Sequence, residues 1–228
     1  MVNFSLPSNK IYSYEYRTNW CLLLIHTLCR HMRYRTAFEI GVHTGLTFKV
    51  LSNCCTTVHG IDISLKKLSK EIIELEQYND EILIQEIDSA NFQPYNVGTW
   101  DFINVDGDHS YDGALRDLRI ASKLLDVSNG TIMVDDALAR EEISCALNDF
   151  LKENNDFVPF MADEQAVYIH HRSSNKVDFL DTILLDVFGQ FCYINDMTIS
   201  DTTIPKLSCL PVITNTNNQV LATIIKNL

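Results

Sequence analysis

Between Thr36 and His171 the chain repeats one arrangement: a short run of Ile, Val and Phe, then a longer stretch whose apolar residues recur at helical spacing. The short runs are Thr36–Val42, Val58–Ile63, Ile82–Ile87, Asp101–Val105 and Gly130–Val134. Each is apolar on successive residues rather than on alternate ones, as in a parallel strand covered on both faces. The intervening stretches, about 45–54, 65–78, 111–126 and 139–154, carry the period of helices that bury one side. The link after Ile87 contains Pro94, so a short irregular crossover is expected there. Strands alternating with helices give right-handed βαβ units and a parallel sheet with helices on both faces. The expected fold is α/β: a doubly wound, Rossmann-like, mostly parallel sheet.

The flanks differ in character. Phe157–Met161 and Ala166–His171, joined by Ala162-Asp163-Glu164-Gln165, suit an antiparallel hairpin that closes the sheet. Arg17–Arg33 has helical spacing and is expected to lean on the sheet edge. Asp178–Tyr193 is very apolar and reads as a helix, a dimer helix or a substrate cap. Pro205, Pro211 and the TNTNN stretch then punctuate a tail ending in a strand-like Gln219–Ile225. The expected division is an extension over 1–35, a cofactor-binding domain over 36–172 and an accessory segment over 173–228.

Composition narrows the function. Lys and Arg number 18 and Asp and Glu 30, a formal charge of −12 that argues against a nucleic-acid partner. No apolar run approaches the roughly 18 residues of a membrane span, and the N-terminus has no secretory pattern, so no membrane partner is expected. Seven cysteines without a C-x-x-C suit free thiols in a reducing cytoplasm.

The candidate site lies where the strands end. Glu39, Gly41 and Gly45 form E-x-G-x-x-x-G, with His43 and Thr44 inside the turn after the first strand. Ligands of open α/β sheets bind at that edge, and glycines there allow close backbone approach. The pattern lacks the third glycine of a dinucleotide loop, which disfavours a nicotinamide oxidoreductase. Asp62, followed by Ile63, ends the second strand, where an acid accepts hydrogen bonds from ribose hydroxyls. Asp88 and Ser89 follow the third strand, placed for an adenine edge. For any one of these acids the bland alternative is a helix cap. Asp106, Gly107 and His109 follow the fourth strand, and Asp135 and Asp136 end the fifth. Carboxylates brought to one rim repel unless protonated or bridged, and an oxygen-only set suits Mg²⁺. His109 has the intrinsic pKa of a general base.

Together these residues resemble a class I S-adenosylmethionine-dependent methyltransferase over about residues 36–171. FEIGVHTG is similar to that family's first motif and HGIDIS to its ribose-binding acid. D-G-D-H-S-Y followed by a helix and V-D-D resembles the subgroup that includes metal-dependent sugar O-methyltransferases. The resemblance implies S-adenosyl-L-methionine as cofactor, held by Glu39, Gly41, His43, Thr44, Gly45, Asp62, Ile63, Asp88, Ser89, Asp106 and Gly107. It implies a divalent cation on Asp106, Asp135 and Asp136, and His109 with Asp106 at the reacting atoms. His43 departs from the small residue or glycine usual at its position. The implied reaction is metal-assisted O-methylation of a small hydroxylated acceptor, with a homodimer as a possible assembly. Metal-independent methyl transfer and a non-catalytic cofactor-binding module are the alternatives.

Overall fold

The computed structural model describes residues 14–94, 98–174 and 192–209. In chain order the elements are α1 (Tyr14–Met32), β1 (Thr36–Ile40), α2 (Leu46–Cys54), β2 (Thr57–Asp62), α3 (Lys70–Tyr78), β3 (Ile82–Glu86), β4 (Phe102–Val105), α4 (Tyr111–Leu124), β5 (Thr131–Val134), α5 (Glu141–Glu153), β6 (Phe157–Ala162), β7 (Val167–His171), β8 (Cys192–Ile199) and β9 (Thr202–Cys209). The strands form one sheet in the order β3-β2-β1-β4-β5-β7-β6-β9-β8. β1 to β5 are mutually parallel, and β7 runs antiparallel to β5. The chain winds outward from β1 to β3, then returns to lay β4 on the other side of β1. That reversal leaves a crevice at the carboxyl ends of β1 and β4.

Burial on both faces accounts for the continuous apolar runs. Ala37, Phe102 and Met133 face a core with Leu24, Leu28, Phe48 and Leu51 from α1 and α2. Their neighbours Phe38, Ile103 and Ile132 face the opposite core, with Leu118, Leu124, Leu147 and Phe150 from α4 and α5. Adjacent residues point to opposite sides of the pleat, so both must be apolar. α3 begins later than the periodicity predicts: a 3-10 turn covers Leu65–Lys67, and Ser69 accepts the Ile72 N–H at 3.4 Å to cap a separate helix. After β3 the described chain makes only a 3-10 turn, Ser89–Asn91, in keeping with an irregular crossover.

The hairpin β6–β7 forms as expected but does not close the sheet. β9 pairs alongside β6 through Ala162 and Lys206, and β8 pairs antiparallel with β9 over its whole length. The β8–β9 turn is Ser200-Asp201, both at positive φ (44° and 64°), as a two-residue hairpin loop with matching twist demands. Of the segment expected to be helical, Cys192 and Tyr193 open β8 instead, and 178–191 lie outside the described residues. Gln219–Ile225 also lies outside them. Among the described residues no helix is long and apolar enough to cross a membrane.

Candidate functional site

The turn leaving β1 sets the geometry. Gly41 has φ 91°, and a Cβ there would collide with the backbone carbonyl of Asp106. Only glycine lets the two strand ends approach this closely. The pairing continues past the strands, with the Gly41 N–H on Ile61 O at 2.8 Å and the Asp106 N–H on Ile40 O at 2.8 Å. Three strand ends are thus fixed side by side.

Glu39 sits one pleat below that turn and is buried. Its cross-strand partner on β4 is Asn104, whose side-chain amide donates to Glu39 Oε1 at 2.8 Å. The other oxygen, Oε2, is buried without a partner. Burial pushes the Glu39 carboxyl well above its usual range, with Asn104 opposing and Asp106, Asp135 and Asp62 adding repulsion.

Asp62 at the end of β2 accepts the His43 N–H on Oδ2 at 2.7 Å and the Ser64 N–H on Oδ1 at 2.8 Å. Two backbone amides therefore hold the carboxylate still, while each oxygen keeps a lone pair for another donor. His43 is exposed at φ 51°, and its Nε2 lies 3.2 Å from Lys67 Nζ. Ile63 projects into solvent, 71% exposed. Asp88 accepts the Ala90 N–H at 2.8 Å and so caps the following 3-10 turn, the bland role its position allowed. The Ser89 hydroxyl turns toward α4, where it accepts from Arg116 at 3.0 Å.

His109 and Asp106 meet at the mouth of the crevice, with Nε2 3.3 Å from Oδ1. That bond raises the His109 pKa above its ordinary value, against the effect of burial. Burial raises the Asp106 carboxyl, and the same contact with His109 offsets part of the rise. Asp135 is pushed up to about 8 by burial and then by Asp106, Asp163 and Asp136.

Asp136 departs from the expected cation site. Its Oδ2 accepts Arg140 Nε at 2.8 Å and its Oδ1 accepts Gln165 Nε2 at 2.9 Å, so each oxygen already holds one donor from the protein. Among the described residues no group of three or more His, Cys, Asp or Glu side chains is placed to hold a metal ion. The arrangement therefore does not fit the three-carboxylate Mg²⁺ site expected of Asp106, Asp135 and Asp136. At this rim Asp136 is paired with Arg140, and burial together with the neighbouring acids favours the neutral form of Asp135.

One cleft gathers Glu39, Gly41, His43, Thr44, Asp106 and Asp135. Asp62 and His109 adjoin it through His43 and Asp106, whereas Asp88 and Ser89 lie apart at the third strand. Cys21, Leu22 and Ile25 of α1 also wall it, with Met133 and Gln165, and no motif marked any of them. Helical spacing marks a buried face without saying which of its residues border a cleft. Gln165 had no mark beyond its place in a hairpin loop.

Known proteins agree with this architecture. Residues 38–137 match the family model of a methyltransferase domain. None of the curated proteins matches the chain in sequence. Among solved structures it is similar to the SAH-bound methyltransferase PaMTH1 of Podospora anserina, at 16% identity and a TM-score of 0.57, covering 75% of this chain and 99% of that one. It is also similar to a putative caffeoyl-CoA O-methyltransferase from Staphylococcus aureus (17%, TM-score 0.54, 66% and 81% covered). A third is the SAH complex of an O-methyltransferase from Bacillus cereus (15%, TM-score 0.50, 72% and 82% covered). Residues 38–137 are similar to a methyltransferase domain, and the sheet that carries them has the fold of these solved methyltransferases.

Proposed function

We propose that the chain moves a methyl group from S-adenosylmethionine to a hydroxyl of a small acceptor, with His109 as general base. The observation that carries this is the His109–Asp106 pair at the mouth of the cleft formed by the Gly41 turn. The cofactor suits what surrounds that turn. Gly41 permits close approach, the vacant Glu39 Oε2 suits a cationic methionine end, and the amide-held Asp62 suits a ribose. When bound, the cofactor supplies an electrophilic methyl on a sulfonium sulfur. The residues do the rest. His109 donates its Nε2–H to Asp106, which leaves the Nδ1 lone pair to take the acceptor's proton. Asp106 holds the ring in that orientation and stabilises it once charged. Cys21, Leu22 and Ile25 shut the α1 side of the cleft, restricting water and the poses open to an acceptor.

No step here runs through a metal, because among the described residues no group of three or more His, Cys, Asp or Glu side chains is placed to hold one. One observation favours a metal-assisted second reading: Asp106 still raises its neighbour Asp135, a repulsion that a cation would also relieve. Methyl transfer in excess chelator separates the two, since the first reading expects full turnover and the second expects loss with return on adding Mg²⁺. The main test is mass-spectrometric transfer over hydroxylated sugars, phenols and small acids. His109→Ala is expected to lose about 10²–10⁴ in turnover with S-adenosylhomocysteine affinity nearly unchanged. A His109→Ala enzyme at full rate would overturn the assignment. Binding without turnover on any acceptor would leave a cofactor-binding module.

A further inference from the structure

Asp117 is a fully buried carboxylate in the middle of α4, where the helix otherwise packs Leu115, Leu118 and Ala121. An apolar residue would fill that position at lower cost, so the acid calls for a reason. Its surroundings supply one. Oδ2 accepts the Asp108 N–H at 3.4 Å, and a Cβ on Gly107 would lie 2.5 Å from the same oxygen. The backbone of the loop after β4 therefore rests directly on this carboxylate, which only glycine at 107 allows. On its other side the Ser89 hydroxyl bonds Asp117, and Ser89 Oγ accepts from Arg116 at 3.0 Å. Arg116 in turn lies 3.4 Å from Asp117 Oδ1 and 3.7 Å from Asp108 Oδ2. Asp117 Oδ1 and Arg116 Nε are buried with no good hydrogen bond, so the pair is held for its position more than for its own stability.

We infer that Asp117, with Arg116, is a positioning unit that ties the turn after β3 (Ser89–Asn91) to the loop after β4 (Gly107–Ser110), so that cofactor binding and the placement of His109 are mechanically linked. This rests on the methyltransferase reading, because the sequence resemblance places Asp88 and Ser89 at the cofactor and the proposed function gives His109 the reaction. Neither residue touches the reacting atoms. Their effect is transmitted through the loop backbone, which α4 holds from below.

The test reads the link without needing turnover. Amide hydrogen exchange of 89–91 and 107–110 is measured in the full chain with and without S-adenosylhomocysteine, beside calorimetric affinity, for Asp117→Asn and Arg116→Met. Arg116 is a third exposed, and replacing it leaves Asp117 its bonds to the Asp108 N–H and the Ser89 hydroxyl, so Arg116→Met is the second variant if Asp117→Asn fails to fold. In the parent, ligand is expected to slow exchange in both segments. In the variants the protection at 107–110 is expected to vanish while that at 89–91 remains, with affinity down about five- to tenfold. In any assay with an acceptor, kcat is expected to fall more than KM rises. Equal protection of 107–110 in the parent and the folded variants would overturn the inference. Failure of the parent to bind S-adenosylhomocysteine at all would overturn the underlying reading instead.

Discussion

At the scale of single residues, the site is a problem of crowded negative charge solved locally. Glu39, Asp106 and Asp135 border one cleft, and each is pushed above the ordinary carboxyl range with burial as the first cause. For Asp135 the consequence for stability has a definite sign. A folded-state pKa of about 8 exceeds the unfolded value, so the native state binds the extra proton and loses stability as pH rises from about 4 to 8. Asp135→Asn removes that loss and is expected to melt above the parent at pH 8, by about 1–3 kcal/mol, with the gap closing toward pH 4. Thermal melts across that range check it, and a gap that stays constant with pH would refute a titrating Asp135. Asp62 is a carboxylate fixed by two backbone amides at the rim. Asp62→Ala is expected to cost about 2–4 kcal/mol of S-adenosylhomocysteine affinity. Calorimetry showing equal affinity would remove Asp62 from the cofactor site.

Among the elements, α1 joins the core to the cleft. Leu24, Ile25, Leu28 and Cys29 are buried to within 1%, while Cys21, Leu22 and Ile25 reach the cleft wall. Leu28→Ala removes packing alone and is expected to cost about 2–5 kcal/mol of stability with acceptor KM unchanged. Ile25→Ala should cost a similar amount and also shift acceptor KM, since its side chain serves both roles. Chemical denaturation and steady-state kinetics on the pair test the distinction, and equal KM values in both would detach α1 from the acceptor. How far sequence alone reaches also shows at this scale. Strands β1, β4 and β5 were legible because burial on both faces makes most successive residues apolar, and the edge strand β3 because Ile82, Leu83 and Ile84 still form a short apolar run. The acids and glycines at their ends were legible because strand-to-helix turns fall at fixed places in such a fold. β8 and β9 were not. Pro205 lies within β9, opposite Asp196, and a proline in a run argues against a strand unless it lies where its missing N–H costs nothing. The commitment of Asp136 to Arg140 and Gln165 was equally invisible, because Gln165 reaches it from another strand's loop.

For the whole molecule, those last two strands change what the far edge of the sheet is. Without them β6 would present an open edge, a template for pairing with other chains. β9 covers it, and Ile199, Ile204 and Leu207 enter the two cores, with Leu207 among residues packed beneath α1 and the others among those beneath α4 and α5. Each such side chain contributes about 1.5–3 kcal/mol when fully buried, a large share of the roughly 5–15 kcal/mol by which domains are stable. Ending the chain after Ser174 would therefore uncover Phe160 and Met161 together with the β6 edge. The truncated protein is expected to aggregate or to melt well below the parent, and to lose S-adenosylhomocysteine binding with its fold rather than by loss of a contact. Size-exclusion chromatography and thermal melts of the 1–174 chain check this. A monomer with unchanged melting and cofactor affinity would show that β6 is sufficient to finish the sheet and that β8 and β9 serve something other than its stability.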